Sequence, residues 1–483
     1  MADFVDAAGW ERLAQDLVAG RRSLVDLWGD AGSVRMAVLD ADRGRIEIAA
    51  LACPDGKFPS LGRHHAPAIR LERAIGELYG LEPLGAPDDR SWLDHGRWPV
   101  RQPLGAPRPH DATGGAYRFL PVEGESLHQI PVGPVHAGII EPGHFRFTCS
   151  GETVVRLEER LDYVHKGIEG LMRGAPIDTA ARLAGRTSGD STVAYAIAFA
   201  RAVEAALGVR VPERAVWLRA VMAELERIAN HLGDIGAVCN DAAFALMHAH
   251  CGVLRERVLR AAAAAFGHRL MMDRVVPGGV AGDLDAAGEA GLRALAGATG
   301  REFAPLVSLF EDTSTLQDRT VGTGILTAEL ARRFAAGGYV GRASGRDFDA
   351  RKIPGYPPYD TLSFAIPSLP EGDVNARIWI RIREVEQSLA LLAQLFDRLP
   401  SGATRTLLEP NTVGEGFALV EGFRGDVFCW VRVNADGRIE HCRLRDPSWF
   451  QWPLLEAVIE GNIVADFPLC NKSFNCSYSG HDL

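Results

Sequence analysis

Apolar residues fall at every second position in two neighbouring stretches, VRMAVLD ending at Asp40 and RIEIAALA ending at Ala52, and the charged residues Asp40 to Arg43 between them predict a β-hairpin. Ahead of it, Met1 to Val18 mixes Asp3, Asp6, Glu11, Arg12 and Asp16 with apolar residues and reads as an amphipathic helix. From about Asp162 to Leu309 the spacing lengthens to three and four, the signature of helices with short breaks. The clearest of these opens at Val211-Pro212-Glu213, where proline suits a first turn, and lines up Leu218, Val221, Met222, Leu225, Ile228, Ala229 and Leu232. Its opposite stripe, Glu224, Arg227, His231 and Asp234, has a spacing that by itself favours a solvated face over the lining of a site. YRFLPVEG (117–124) and HFRFTCSGETVVRLEER (144–160) read as strands, 417–433 as two strands around a turn, and Trp452 to Glu460 as a short helix.

Proline and glycine crowd RQPLGAPRPHDATGG (101–115), which places a linker at 101–118 between an α+β domain over 1–100 and a larger domain over 119–483. A chain of 483 residues exceeds what one core usually organises, so two domains are expected. The predicted class is α+β, a small α/β domain followed by a helical bundle flanked by β structure. No run approaches the roughly 18 apolar residues of a membrane span, so any membrane contact is expected through partners. The start lacks the basic-then-apolar order of a signal peptide, which points to a cytoplasmic chain. A net charge of -10 argues against a nucleic-acid partner. The eight cysteines include no C-x-x-C pair, so neither zinc nor a self-contained iron–sulfur cluster is indicated, and most are expected to be small buried apolar groups.

Within 59–98, Glu72, Arg73, Glu77 and Gly80 form an E-R-x-x-x-[DE]-x-x-G run that resembles the small hydrophilic subunit of complex I, although an ordinary helix ending in glycine would also produce it. A longer match begins at IPVGPVHAGIIEPGHFRF (130–147). It continues through YVHKGIEGL (163–171), VPERAVWLRAVMAELERIANHL (211–232), RTVGTG, RASGRDFDARK, GDVNARIWIRIREVEQS, EGFRGD (421–426) and DPSWFQWP (446–453). In order and extent these segments resemble the large subunit shared by complex I and the group 4 nickel–iron hydrogenases, in the fused form of formate hydrogenlyase and hydrogenase-4 complexes.

That resemblance implies a nickel–iron site held by two cysteine pairs, since the metals need soft thiolates. Here the first motif reads Arg186-Thr187-Ser188-Gly189-Asp190-Ser191, with serine at both cysteine positions. Aligned from Ser473 and Asp482, the second places Ser477 and Gly480 at the ligand positions, with Cys476 one residue out of register. A nickel–iron centre is therefore expected to be absent, along with a cleavable extension beyond Leu483. The quinone-contacting positions of the complex I branch have changed as well: His136 stands at the earlier histidine of its loop, Ile140 at the later one, and Ser188 and Gly189 replace Asp and Tyr. Ser188, Asp190 and His144 are the polar groups left there.

The resemblance also assigns roles. Glu169 matches a proton-passing glutamate, and Arg227 and His231 match a stripe near the terminal iron–sulfur cluster of a partner. Glu169, Arg186 and Asp190 are thus the expected catalytic residues, and Ser188, Ser191, His136, Arg227, His231 and Ser477 the cofactor-binding ones, with no metal ligands. The implied partners are an iron–sulfur small subunit, a ferredoxin-like subunit and quinone-channel-like and antiporter-like membrane subunits, with the chain peripheral on the inner face of the cell membrane. Three readings follow: a redox subunit passing electrons to a quinone or other acceptor, a non-catalytic docking scaffold, and a hydrogenase with unusual ligands that uses Cys470 and Cys476. Filled-in apolar walls would favour the scaffold.

Overall fold

In the computed structural model, which describes residues 3–109, 117–136, 140–409 and 413–483, Asp6 caps a first helix, α1 (Ala7–Val18), by accepting the Gly9 N–H at 2.7 Å. The helix expected from Met1 thus begins at Ala7. Strands β1 (Ser23–Asp30), β2 (Ser33–Asp40) and β3 (Arg45–Ala52) follow as an antiparallel sheet, with Asp3–Phe4 parallel to β3 at the edge. The predicted hairpin is β2–β3, yet all of β2 is buried despite its alternation. One face packs on α1 and on α2 (Ile69–Tyr79), while the other sets Trp28, Ala37, Leu39 and Ile48 against Phe428 and Trp430.

Residues 117–124, expected as a strand, take no regular structure; Pro121 cannot donate to a ladder, and the Leu120 N–H goes instead to the Glu158 carboxylate at 3.0 Å. The strand lies just beyond as β4 (Leu127–Val132), paired with β5 (His144–Ser150), which turns into β6 (Thr153–Arg160). Helix α3 (Thr192–Leu207) is apolar on almost every side and packs on β7 (Gly414–Glu421) and β8 (Asp426–Val433), to which β9 (Ile439–Arg445) adds a third antiparallel strand. Four long helices form the bundle: α4 (Glu213–Asp241), with Pro212 directly before its first residue, α5 (Ala245–Phe266), α6 (Ala286–Asp312) and α7 (Val374–Asp397). Helix α4 packs on α5 and α7, and α6 closes the set against the same two. Then come α8 (Ser448–Val458), α9 (Phe467–Phe474) and a last turn, Tyr478–Asp482. The helix expected from Trp452 starts at Ser448, where Asp446 accepts the Ser448 N–H at 2.8 Å.

The polar stripe of α4 is not solvated. Glu224 and His231 are fully buried and Arg227 is 1% exposed, because an equally charged set from distant segments meets them. Glu224 takes Arg351 at 3.0 Å and the hydroxyls of Tyr359 and Ser388 at 2.6 Å. Glu384 takes His231 at 2.7 Å and Arg342 at 2.6 Å. Charges enter a core only when partnered in this way. The apolar core is one cluster running from Trp10 through the bundle to Leu483, so the N-terminal sheet and the bundle share it.

Candidate functional site

The two serine-bearing loops meet. The turn Gly189–Ser191 precedes α3, and the segment after α9 reverses at Asn475, whose φ of 46° lets the chain double back. Ser188 Oγ and Ser477 Oγ, 289 residues apart, lie 2.9 Å from one another. Ser188 also donates to Asp190 at 2.9 Å. Arg424, from the turn between β7 and β8, clamps both loops: two of its nitrogens donate to the Asp190 oxygens at 2.6 and 2.5 Å, and its Nε donates to the Asn475 carbonyl at 2.5 Å. Beneath the first loop, Lys166 donates to the carbonyls of Arg186 and Thr187 at 3.0 and 2.7 Å, and Asn230 to that of Asp190 at 2.7 Å. Burial pulls the Asp190 carboxyl upward, but the Arg424 guanidinium outweighs it and holds the group below its ordinary range.

This convergence borders an open cavity of about 790 Å³ between the N-terminal half of α5, the C-terminal half of α4 and the tail segment. Ser188, Asp190 and Ser477 line it, while Ser191 lies behind, hydrogen-bonded to Arg424 at 3.3 Å. The other expected residues stand apart. Arg186 points away and forms an exposed pair with Asp273, so the structure gives it no place in the cavity. Arg227 and His231 lie inside the buried network, Arg227 donating to the carbonyls of Glu421 and Gly422 at 2.9 and 3.0 Å. The cavity wall takes Ile140 and Glu141 from the 130–147 loop, and His136 is not part of it. Glu169 is buried. Its Oε1 accepts the Leu444 N–H at 3.0 Å and faces Arg443 at 3.4 Å, its Oε2 has no donor among the described residues, and burial drives its pKa up. A carboxyl so placed holds a proton well, but it does not border the cavity.

The profile of the respiratory-chain NADH dehydrogenase 49 Kd subunit matches residues 241–413. Formate hydrogenlyase subunit 5 of Escherichia coli (strain K12) is 32% identical over 439 residues, which cover 88% of this chain and 77% of that protein. The chain belongs to the large-subunit family of group 4 hydrogenases and complex I. Within that family, hydrogenase-4 component G of the same organism is 30% identical over 92% of this chain and 79% of its own length, and an NADH-quinone oxidoreductase subunit of Roseiflexus sp. (strain RS-1) is 31% identical over 70% and 94%. A chain of the membrane-bound sulfane sulfur reductase, an archaeal respiratory membrane complex, superposes with a TM-score of 0.70 at 26% identity, covering 75% of this chain and all of that one. The mixed helix-and-strand fold expected from the sequence is the 49 Kd-subunit type.

A family-type nickel–iron centre does not fit the residues present. Ser188 and Ser477 are hydrogen-bonded to one another, and Ser191 is held by Arg424. At Gly480 a Cβ would stand 2.5 Å from Asp446 Oδ2, which leaves no room for a ligating side chain. Cys476 is the thiol among the cavity's described residues, one residue out of register with the family's ligand position, and its Sγ faces the Gln451 side-chain oxygen at 4.0 Å. Cys470 lies elsewhere, against Gly324 and Arg377. All eight cysteines are buried. Among residues that the sequence pattern does not single out, Arg424 and Lys166 hold the site together. Arg424 sits in EGFRGD and Lys166 in YVHKGIEGL, two of the segments that carry the family resemblance.

Proposed function

We propose that this chain is a peripheral redox-type subunit of a membrane-bound, energy-converting complex related to hydrogenase and complex I. With an iron–sulfur subunit it frames the cavity at Ser188, Asp190 and Ser477 as the place where electrons meet a quinone or another acceptor, without a nickel–iron centre. The observation that carries this reading is the open cavity, with polar and charged residues on its wall, at the point where the two serine-bearing loops converge. A scaffold that had lost its chemistry would have no reason to keep that space open. No described helix is long and apolar enough to cross a membrane, so attachment through ferredoxin-like and membrane-arm subunits on the inner face of the cell membrane completes the proposal.

The test uses the purified complex. Metal analysis is expected to find nickel far below stoichiometric, and the partner's reduced cluster, followed by electron paramagnetic resonance, is expected to reoxidise when an acceptor is added. Asp190→Ala should slow that reoxidation at least tenfold. Stoichiometric nickel together with hydrogen-dependent cluster reduction would sink the reading, and a rate unaffected by Asp190→Ala would favour the scaffold.

A further inference from the structure

The cavity wall carries four carboxylates, Glu141, Asp190, Asp234 and Asp241, and three cations, Arg255, Arg424 and Lys472, and the cations are not all paired. Arg424 is committed to Asp190 through two nitrogens, and Asp234 takes Arg381 at 3.2 Å and Asn475 at 2.9 Å. Glu141 accepts the Ser479 N–H at 3.0 Å and has the Lys166 ammonium in its field. Among the described residues, two cations remain on the wall. Lys472, on the last turn of α9, faces Asp241, which His248 faces as well, and its ammonium has no hydrogen bond or ion pair among the described residues. Arg255, on α5, has no hydrogen bond or ion pair among the described residues. Its place is nonetheless built. It lies across α4 at Gly233, where an added Cβ would stand 3.0 Å from Arg255 Cδ and 3.2 Å from Nε, so the absence of a side chain is what lets the guanidinium reach the cavity. A half-buried guanidinium with no anion of its own is a receptor for one.

We propose that the cavity receives a small anion, a carboxylate or oxyanion, seated on Arg255 and Lys472. This rests on the redox reading of the same cavity and names the class of molecule that enters it. Among the described residues the wall's apolar side chains are few, Ile140, Ala237 and Cys476, which favours a small polar ligand over a long-tailed quinone.

Sulfate, acetate and a short-chain ubiquinone analogue, titrated separately into the purified full-length chain at fixed ionic strength and followed by calorimetry, decide the matter without any electron transfer. The expected result is saturable binding of sulfate or acetate, weakened at least tenfold by Arg255→Gln. Gly233→Ala should weaken binding similarly, since it retains the guanidinium but displaces it, and alanine within a helix is otherwise favourable. Arg260→Gln, on the same helix but outside the cavity, should leave binding unchanged. Saturable binding of the ubiquinone analogue alone, anion affinity indifferent to Arg255→Gln, or an equal loss with Arg260→Gln would each overturn the proposal. Anion binding in a complex that reduces no acceptor would leave this inference standing and defeat the redox reading; reduction of a quinone with no anion bound would do the opposite.

Discussion

Arg424 joins two loops far apart in sequence through a planar fork, and that geometry is what makes it irreplaceable by another cation. A lysine offers one point of charge, which cannot serve both oxygens of Asp190 and the Asn475 carbonyl together. Arg424→Lys is therefore expected to lower stability by about 1.5–3 kcal/mol in urea melts, the range for a charge-assisted hydrogen bond with its partner left behind. Nearby, Glu226 accepts the N–H groups of Val193 and Ala194 at 2.7 and 3.0 Å, capping α3 from outside. Burial, reinforced by the Asp190 charge, still pushes its pKa from 4.5 up to about 8. The folded chain thus keeps a proton there that the unfolded chain has already released, so stability falls as the pH rises from 4.5 through about 8. Glu226→Gln, neutral throughout, should flatten that fall. Comparing urea midpoints at about pH 5 and about pH 8.5 checks it, and an identical loss in both proteins would refute it.

At the scale of elements, α2 illustrates what a pattern conveys and what it hides. Its E-R-x-x-x-[DE]-x-x-G run does end as a helix ending in glycine should: Gly80 closes it with a φ of +73°, and an added Cβ would lie 2.5 Å from Gln102 Cδ. Gly80→Ala is expected to cost about 1–2 kcal/mol, from the left-handed backbone and the displaced glutamine, read from the thermal midpoint. Spacing could not announce that Glu72, buried, and Glu77, half-buried, are anchors for the backbone. Glu72 gathers the N–H groups of Leu61 and Gly62 at 2.5 and 3.1 Å, and Glu77 those of Trp92, Leu93 and Asp94 between 2.7 and 3.1 Å. The stripe on α4 deceives for the same reason. A helix pattern reports which residues share a side, whereas the neutralising Arg342, Arg351 and Glu384 arrive from more than a hundred positions away. The hairpin, the long helices and the convergence of Ser188 with Ser477 were legible, the last only through family resemblance. The direction in which Arg186 points was not, because an exposed Asp273 decides it.

On the scale of the molecule, the N-terminal sheet and β7–β9 are joined by charge as well as by shared apolar surface. Asp26 takes Arg443 at 2.8 and 3.1 Å, Asp30 takes Arg432 and His441, and the Tyr79 hydroxyl meets His441 at 2.8 Å. Asp26 is fully buried and Arg443 2% exposed, so Asp26→Ala leaves the buried guanidinium with only the longer Glu169 contact at 3.4 Å and should cost about 3–5 kcal/mol. Because the core is continuous, calorimetry is expected to record one transition that moves as a whole; a separate early peak for the sheet would contradict this.

The pairing of Asp26 with Arg443 also sets a timetable. At about 5–20 residues per second on a ribosome, 417 positions separate the synthesis of the two residues by on the order of 20–80 s. Through most of that interval β1–β3 present Trp28, Leu39 and Ile48 to water, because the residues that cover them, Phe348, Leu419, Phe428 and Trp430, are made late. The moment of greatest exposure to wrong neighbours therefore falls before release of the chain, and co-expressing a holding chaperone is expected to raise the soluble yield.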